Sequence, residues 1–205
     1  MSINTNTQLS KLSALNGMAS YLGIPPLQSL SDIDRSPDFQ LAEVILDEMV
    51  HEVCAHGMPC NTDYNYTLVR NVDNEIPLEA GMIAVFPEDE NEKYVIERNA
   101  KLYDRDKNTS IFEQDVDCRV FWLQTYESLP AVVRKYVYVS SARRLVSRVK
   151  GDDAVLATTQ LDISNAQTDF LTYTENIRST NMIHDNCESL YAIDNNTANL
   201  GYPWY

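Results

Sequence analysis

The sequence predicts an α+β protein: a helical bundle of about four helices with a small, mostly antiparallel β insertion between helices 2 and 3. Apolar residues recur every three or four positions towards both ends of the chain, whereas short β-branched and aromatic runs fill the middle. The expected parts are an N-terminal helical hairpin over 1–62, the β insertion over 63–127, two long helices over 128–183 and an extended tail over 184–205.

The first helix is predicted over residues 7–22, where leucines and an alanine repeat at helical spacing. It should end there because Gly23 and the prolines at 25–26 follow the last apolar position. Gly17 lies inside this helix, at a cost of about 1 kcal/mol relative to Ala. Its presence indicates a close contact with another helix.

The second helix should begin at residues 36–37, because Ser can cap a helix and Pro suits its first position, and should end at Gly57. One face is predicted to be apolar: Phe39, Ala42, Ile45, Met49 and Val53. The strands of the insertion are expected in four runs, separated by turn-rich stretches: 64–69, 82–86, 93–97 and 118–123.

Residues 129–151 predict the third helix, closed by Gly151. One flank of it should be apolar: Leu129, Val132, Val133, Tyr136, Val137, Leu145, Val146 and Val149. The last helix should run to about residue 183. Its Leu156, Ile163, Phe170 and Ile177 recur every seven residues, which predicts that one side packs along another helix.

Charge is strongly segregated in this chain. The net charge is −14, yet the stretch 129–151 carries +6 and no acid, so the other residues together carry −20. Its cations are Arg134, Lys135, Arg143, Arg144, Arg148 and Lys150. They could form a solvated helix face, bind phosphate, or meet acidic surface on a neighbouring copy or partner. The third interpretation is favoured, because Arg forms bidentate pairs with carboxylates and acids are plentiful.

The acidic composition argues against a protein that grips nucleic acid over its general surface, so we expect DNA binding to be weak and without sequence preference. The sequence shows neither a secretory leader pattern nor an apolar run of about 18 residues, and we expect no membrane partner. Four irregularly spaced cysteines are expected to be reduced thiols in a cytoplasmic setting.

Two stretches imitate metal sites. His51, Cys54, His56 and Cys60 could bind zinc with His184 and Cys187, but a helix end with buried thiols is the favoured interpretation. Residues 104–115 imitate a calcium loop, but Thr109 stands where that loop needs Gly, so a polar hairpin turn is favoured. No metal, cofactor or catalytic residue is predicted, because no nucleophile elbow or phosphate-cradling loop is present.

Three stretches together carry a resemblance: LSALNGMASYLGIPPLQSL, YVIERNAKLYDRDKNTSIF and YESLPAVVRKYVYVSSARRLVSRVKGDD. In order and spacing, the chain from about Leu9 to Ile183 resembles tail tubular protein A, the head-to-tail adaptor of short-tailed bacteriophages. The last helix departs from the family, because here it is mostly Thr, Asn and Gln where relatives are dense in acids.

The resemblance implies a structural virion protein of the tail, assembled in the host cytoplasm. Twelve copies would form a ring between the portal and the nozzle (tail tubular protein B), with DNA passing through the channel and the N-terminal region of the tail fibres attached outside. The cations of 129–151 would then form a ring or partner interface. The alternative function is a tail-associated hydrolase acting on host surface polysaccharide.

The chain ends in an aromatic cluster: Tyr202, Pro203, Trp204 and Tyr205. Aromatic side chains bury large areas with little rotamer entropy to lose, so this segment is predicted to be an interface anchor. The resemblance points to the portal as its target. Folding back onto the β insertion of the same subunit is the alternative.

Overall fold

The computed structural model describes residues 9–88, 94–149, 151 and 153–182. For residues 153–159 and 178–182 it describes the backbone but not the side chains. This part contains four α-helices: α1 (Lys11–Ser20), α2 (Pro37–Ala55), α3 (Ala131–Val149) and α4 (Asp153–Met182). Five strands lie between α2 and α3. The predicted α+β class and the order of its elements are confirmed, while the tail over 184–205 lies outside the described residues.

The strands form two antiparallel groups. A three-stranded sheet has the order β1–β5–β2, with β5 (Val116–Trp122) between β1 (Thr62–Leu68) and β2 (Met82–Pro87). A separate pair joins β3 (Val95–Glu97) to β4 (Leu102–Asp104), a strand that is not among the four predicted runs. Both partners of β5 shift register near its C-terminal end, which lies next to α2. Such irregularities bend a strand locally.

The start of α1 differs from the prediction, whereas α2 begins where it is predicted. α1 begins at Lys11, because the Ser10 hydroxyl accepts the Ser13 amide at 3.2 Å and caps the helix. Ser36 precedes α2 as predicted, but its side chain makes no capping hydrogen bond; its carbonyl accepts the Phe39 amide at 3.1 Å instead. Two short 3-10 helices, Leu30–Arg35 and Tyr126–Ser128, are absent from the predictions.

One buried apolar cluster lies among the helices. It contains every residue of the predicted α2 face: Phe39, Ala42, Ile45, Met49 and Val53. Most of the predicted flank of α3 faces the same cluster: Leu129, Val133, Val137 and Leu145 belong to it and Tyr136 packs against it, whereas Val132 is half-buried and Val149 is exposed. On α4, Phe170 stacks on Tyr136 with ring centroids 4.9 Å apart, and Ile163 and Ile177 are half-buried. The seven-residue stripe therefore packs on α3 as predicted, although the Leu156 side chain lies outside the description.

A second buried cluster lies within the insertion, and a buried asparagine connects the two parts. The Asn61 amide nitrogen donates to the carbonyls of Cys54 at 2.9 Å and Trp122 at 2.8 Å, and its carbonyl oxygen accepts the Met58 amide at 2.8 Å. All of these partners are main-chain atoms at the end of α2 or of β5. Asn61 thereby fixes the sheet to the helices.

Gly57 supports the same junction. It has φ +68°, a conformation that favours glycine, and the Phe121 ring of β5 occupies the space where a Cβ would lie. The end of α2 and the end of β5 can therefore approach each other closely.

Gly17 makes the close helix contact that the sequence predicts. A Cβ added at this position would lie 2.6 Å from the Tyr138 hydroxyl oxygen of α3. Tyr138 is half-buried, and burial raises its pKa to about 12. A larger residue at position 17 therefore requires the Tyr138 ring to move.

We predict that Gly17→Ala lowers the free energy of unfolding by about 1 to 2 kcal/mol. Overpacking against the Tyr138 ring costs about 1 to 3 kcal/mol, which outweighs the helix propensity gained by Ala. In a Tyr138→Ala background the same substitution should become stabilising by up to about 1 kcal/mol. Urea unfolding of the four proteins measures this; an equal effect of Gly17→Ala in both backgrounds would contradict the contact.

Candidate functional site

The basic helix α3 packs against an acidic helix. Between Ala131 and Val149, α3 carries Arg and Lys but no Asp or Glu, whereas α2 carries acids but no Arg or Lys. The α2 acids are Asp38, Glu43, Asp47, Glu48 and Glu52. The charges that are separated along the sequence therefore face each other in the fold, on two neighbouring helices.

Arg144 makes the best-formed ion pair between these helices. Its two terminal nitrogens donate to the two carboxylate oxygens of Glu52, each at 2.8 Å, and Nη1 lies 3.9 Å from Glu48. This hydrogen bonding holds the pKa of Glu52 below its usual value. Arg148 donates to Glu48 at 3.1 Å. Two cations of the predicted interface therefore have acidic partners within the same chain.

The acids on the opposite side of α2 form ion pairs as well. The Lys11 ammonium of α1 lies 2.9 Å from Glu43 and 3.1 Å from Asp47. Burial by itself lowers the pKa of Lys11, but hydrogen bonds to these two carboxylates outweigh it and the pKa lies above its ordinary value. The acids of α2 are thus shared between α1 and α3.

The remaining predicted interface cations lie in different surroundings. Arg134 is only 4% exposed, because the chain before α1 covers it and the Leu9 carbonyl accepts its Nη1 at 3.3 Å. It belongs to the interior of the helical part rather than to an exposed surface. Lys135 is exposed and pairs with Asp169 of α4 at 2.8 Å. Lys150 lies outside the described residues.

Arg143 differs from its neighbours because its partner is neutral. Its Nη1 donates to the side-chain carbonyl of Gln160 on α4 at 2.6 Å, and the residue is exposed. Among the described residues, no carboxylate lies within 4.0 Å of its guanidinium. Arg143 borders an open cavity of about 480 Å³ between α2, α3 and α4, lined by Met49, Ser140, Arg143, Arg144, Ser147, Arg148 and Ile163.

The thiols of the zinc-like stretch lie at the end of α2 and just beyond it. Cys54 is buried and Cys60 half-buried, both are free thiols, and burial raises the pKa of each. Within the described ranges, no three His, Cys, Asp or Glu side chains are grouped to hold a metal ion, while His184 and Cys187 lie outside those ranges.

The calcium-like stretch forms the predicted polar hairpin turn. The main chains of Asp104 and Thr109 exchange two hydrogen bonds, at 2.8 and 3.1 Å. The Asp104 carboxylate accepts the amides of Asp106 and Lys107 and so closes the turn.

Two leucines on α4 escape the sequence analysis. Leu161 is 68% exposed and Leu171 is 51% exposed. Their exposure could have been predicted from the sequence, since neither falls on the seven-residue stripe that packs against α3. Along the described helices, none combines the length and apolar character needed to cross a membrane.

The fold is a helical bundle with a β insertion, in which a basic helix packs against an acidic one. The family model of the tail tubular proteins matches residues 12–180. The chain belongs to the tail tubular protein family, whose members are structural rather than enzymatic components of phage tails. A search of the curated proteins found no significant match.

We predict that Glu52 and Arg144 are coupled by about 0.5 to 1 kcal/mol in a double-mutant cycle of Glu52→Gln and Arg144→Gln. The value is small because both side chains are partly exposed, and it should shrink as salt is added. Because the pKa of Glu52 is depressed, the contribution is present above its ordinary pKa and is lost as the pH falls through the lower, folded-state pKa.

Urea unfolding between pH 7 and pH 3 measures this coupling. Wild type should lose the contribution of the Glu52–Arg144 pair to its free energy of unfolding over that acidic range, whereas Glu52→Gln has no such contribution to lose. Lys107→Gln, which removes an exposed cation of the β insertion, is the matched control and should leave the coupling unchanged. A coupling of zero at low salt would contradict the pairing.

Proposed function

We propose that this chain is a subunit of the head-to-tail adaptor, a ring between the portal and the tail nozzle whose central channel passes DNA during packaging and ejection. The observation that carries the proposal is the family match over residues 12–180, which makes the chain a component of a phage tail. The ring of twelve copies, the portal, the nozzle and the fibre attachment belong to the proposal.

The face of α4 that carries the exposed Leu161 and Leu171 favours a contact with a neighbouring subunit. Leu161 and Leu171 lie ten positions apart, and the nine residues between them carry only two charges, those of Asp162 and Asp169. Burying a leucine side chain contributes about 1.5 to 3 kcal/mol. A neighbouring subunit that covers this face would gain from burying both and would desolvate few charges.

The charge of the chain suits a ring that passes DNA without holding it. A net charge of −14 repels phosphate over most of the surface, and the pairing of Arg144, Arg148 and Lys135 with acids neutralises much of the basic helix. DNA binding by the free subunit should therefore be weak and independent of sequence.

We predict that the purified chain assembles into rings, alone or on its portal, and that Leu161→Ser with Leu171→Ser weakens assembly at least about tenfold. Loss of two buried leucines from a contact exceeds the 1.4 kcal/mol that a tenfold change requires. Sedimentation velocity gives the assembled fraction, and negative-stain electron microscopy gives the symmetry.

The matched control is Val69→Ser with Val72→Ser, which removes two exposed valines of the β insertion, 64% and 97% exposed. Both double variants should keep the thermal midpoint of wild type, because all four side chains are exposed. A wild-type chain that forms no ring with or without its portal would contradict the proposed function. Equal assembly of the leucine and the valine double variants would contradict a subunit contact through Leu161 and Leu171 of α4.

The aromatic segment at 202–205 is proposed to anchor the subunit on the portal. Deletion of residues 201–205 should leave a soluble, folded chain that no longer binds the portal, since the three aromatic rings would supply most of the buried contact. Co-sedimentation with the portal measures binding. Unchanged binding, or a lower thermal midpoint of the shortened chain by itself, would favour folding back onto the β insertion.

A further inference from the structure

The cavity between α2, α3 and α4 has the composition of a carboxylate-binding site. Three guanidinium groups, of Arg143, Arg144 and Arg148, and two hydroxyls, of Ser140 and Ser147, line a space of about 480 Å³. The other lining residues are the apolar Met49 and Ile163. A lining of guanidinium, hydroxyl and apolar side chains is suited in composition to an anion carried on an aliphatic stem, as in an Asp or Glu side chain.

The side chains that the structure describes at this cavity carry more positive than negative charge. Glu52 and Glu48 pair with Arg144 and Arg148, so two acids face three arginines. The third, Arg143, donates from Nη1 to the neutral Gln160 side chain at 2.6 Å, and the residue is exposed. An exposed guanidinium beside a concave surface is a site for a bidentate partner.

We propose that Arg143 receives an acidic side chain from a second copy of this chain. The inference rests on the proposed ring and deepens it, since it assigns the intersubunit contact to one arginine and leaves Arg144 and Arg148 to the fold. A second copy is rich in carboxylates, because the residues outside 129–151 carry −20. A heterologous contact of this kind can repeat around a closed ring.

A phosphate backbone fits the cavity less well. Glu48 and Glu52 lie beside it, within hydrogen-bonding distance of Arg148 and Arg144, and a polyanion extending past Arg143 would meet both carboxylates. The other exposed cations of α3 are already paired with carboxylates: Arg148, five residues further on, with Glu48, and Lys135, eight residues or about 12 Å back, with Asp169. A single carboxylate on a protein surface needs only the one guanidinium.

The first test compares assembly of Arg143→Gln, Arg143→Lys and wild type by sedimentation velocity at low and high salt. Arg143→Gln should weaken assembly at least about 30-fold, because it leaves a buried carboxylate of the neighbour without its cation, and Arg143→Lys should restore part of the loss. Lys135→Gln, on the same helix and paired within the chain, should change assembly by less than about twofold. A larger loss in Lys135→Gln than in Arg143→Gln would overturn the inference.

The second test identifies the partner. Isotope-labelled and unlabelled Arg143→Lys chains are assembled together and treated with a carbodiimide, which joins an amine to a carboxylate without a spacer. Mass spectrometry should find the lysine at position 143 joined to an Asp or Glu peptide of the other isotope. Crosslinks only within one isotope, in chains that do assemble, would overturn the inference.

The outcomes separate this inference from the proposed function. Rings formed by Arg143→Gln as readily as by wild type would overturn the role of Arg143 and leave the ring intact. Normal rings combined with loss of duplex DNA binding in Arg143→Gln would assign the cavity to phosphate instead. A wild-type chain that never assembles would overturn the ring, and this inference with it.

Discussion

The helical part depends on α2, an acidic helix held between two sources of positive charge. Its apolar face fills the core, and its carboxylates pair with Lys11 of α1 on one side and with Arg144 and Arg148 of α3 on the other. Each exposed pair contributes at most about 1 kcal/mol, whereas each buried side chain of the face contributes about 1.5 to 3. Burial therefore supplies most of the stability, and the ion pairs fix which helix lies on which side of α2 and in which register.

The end of α2 also determines where the β insertion lies. Asn61 satisfies three main-chain groups from two parts of the chain, and the absence of a side chain at Gly57 lets the Phe121 ring pack against the turn. A buried amide with all its partners in place is costly to disrupt, because each group left unpaired costs about 1 to 3 kcal/mol. The sheet is thus attached through a rigid junction, and a load on the insertion would be transmitted to the helices that the proposed ring is built from.

Charge segregation in a sequence can serve the fold and the assembly at once. Most cations of α3 have partners within the chain: Arg144 and Arg148 on α2, and Lys135 on α4. Arg143 is exposed, faces an open cavity and is matched with an amide. A single unbalanced charge on an otherwise compensated surface gives orientation to a contact at little cost in solubility.

By itself the sequence determined the α+β class, the element order, the apolar face of α2, the stripe of α4 and the close contact at Gly17. These features are local, since periodicity, glycine and proline act within a few residues of their own position. Only the tertiary structure decided which acid each cation meets, that Arg134 is buried, that Asn61 joins the two parts and that Leu161 and Leu171 remain exposed. Those outcomes depend on residues up to 125 positions apart, as in the bond from Arg134 to Leu9, and a spacing along the chain carries no information about such neighbours.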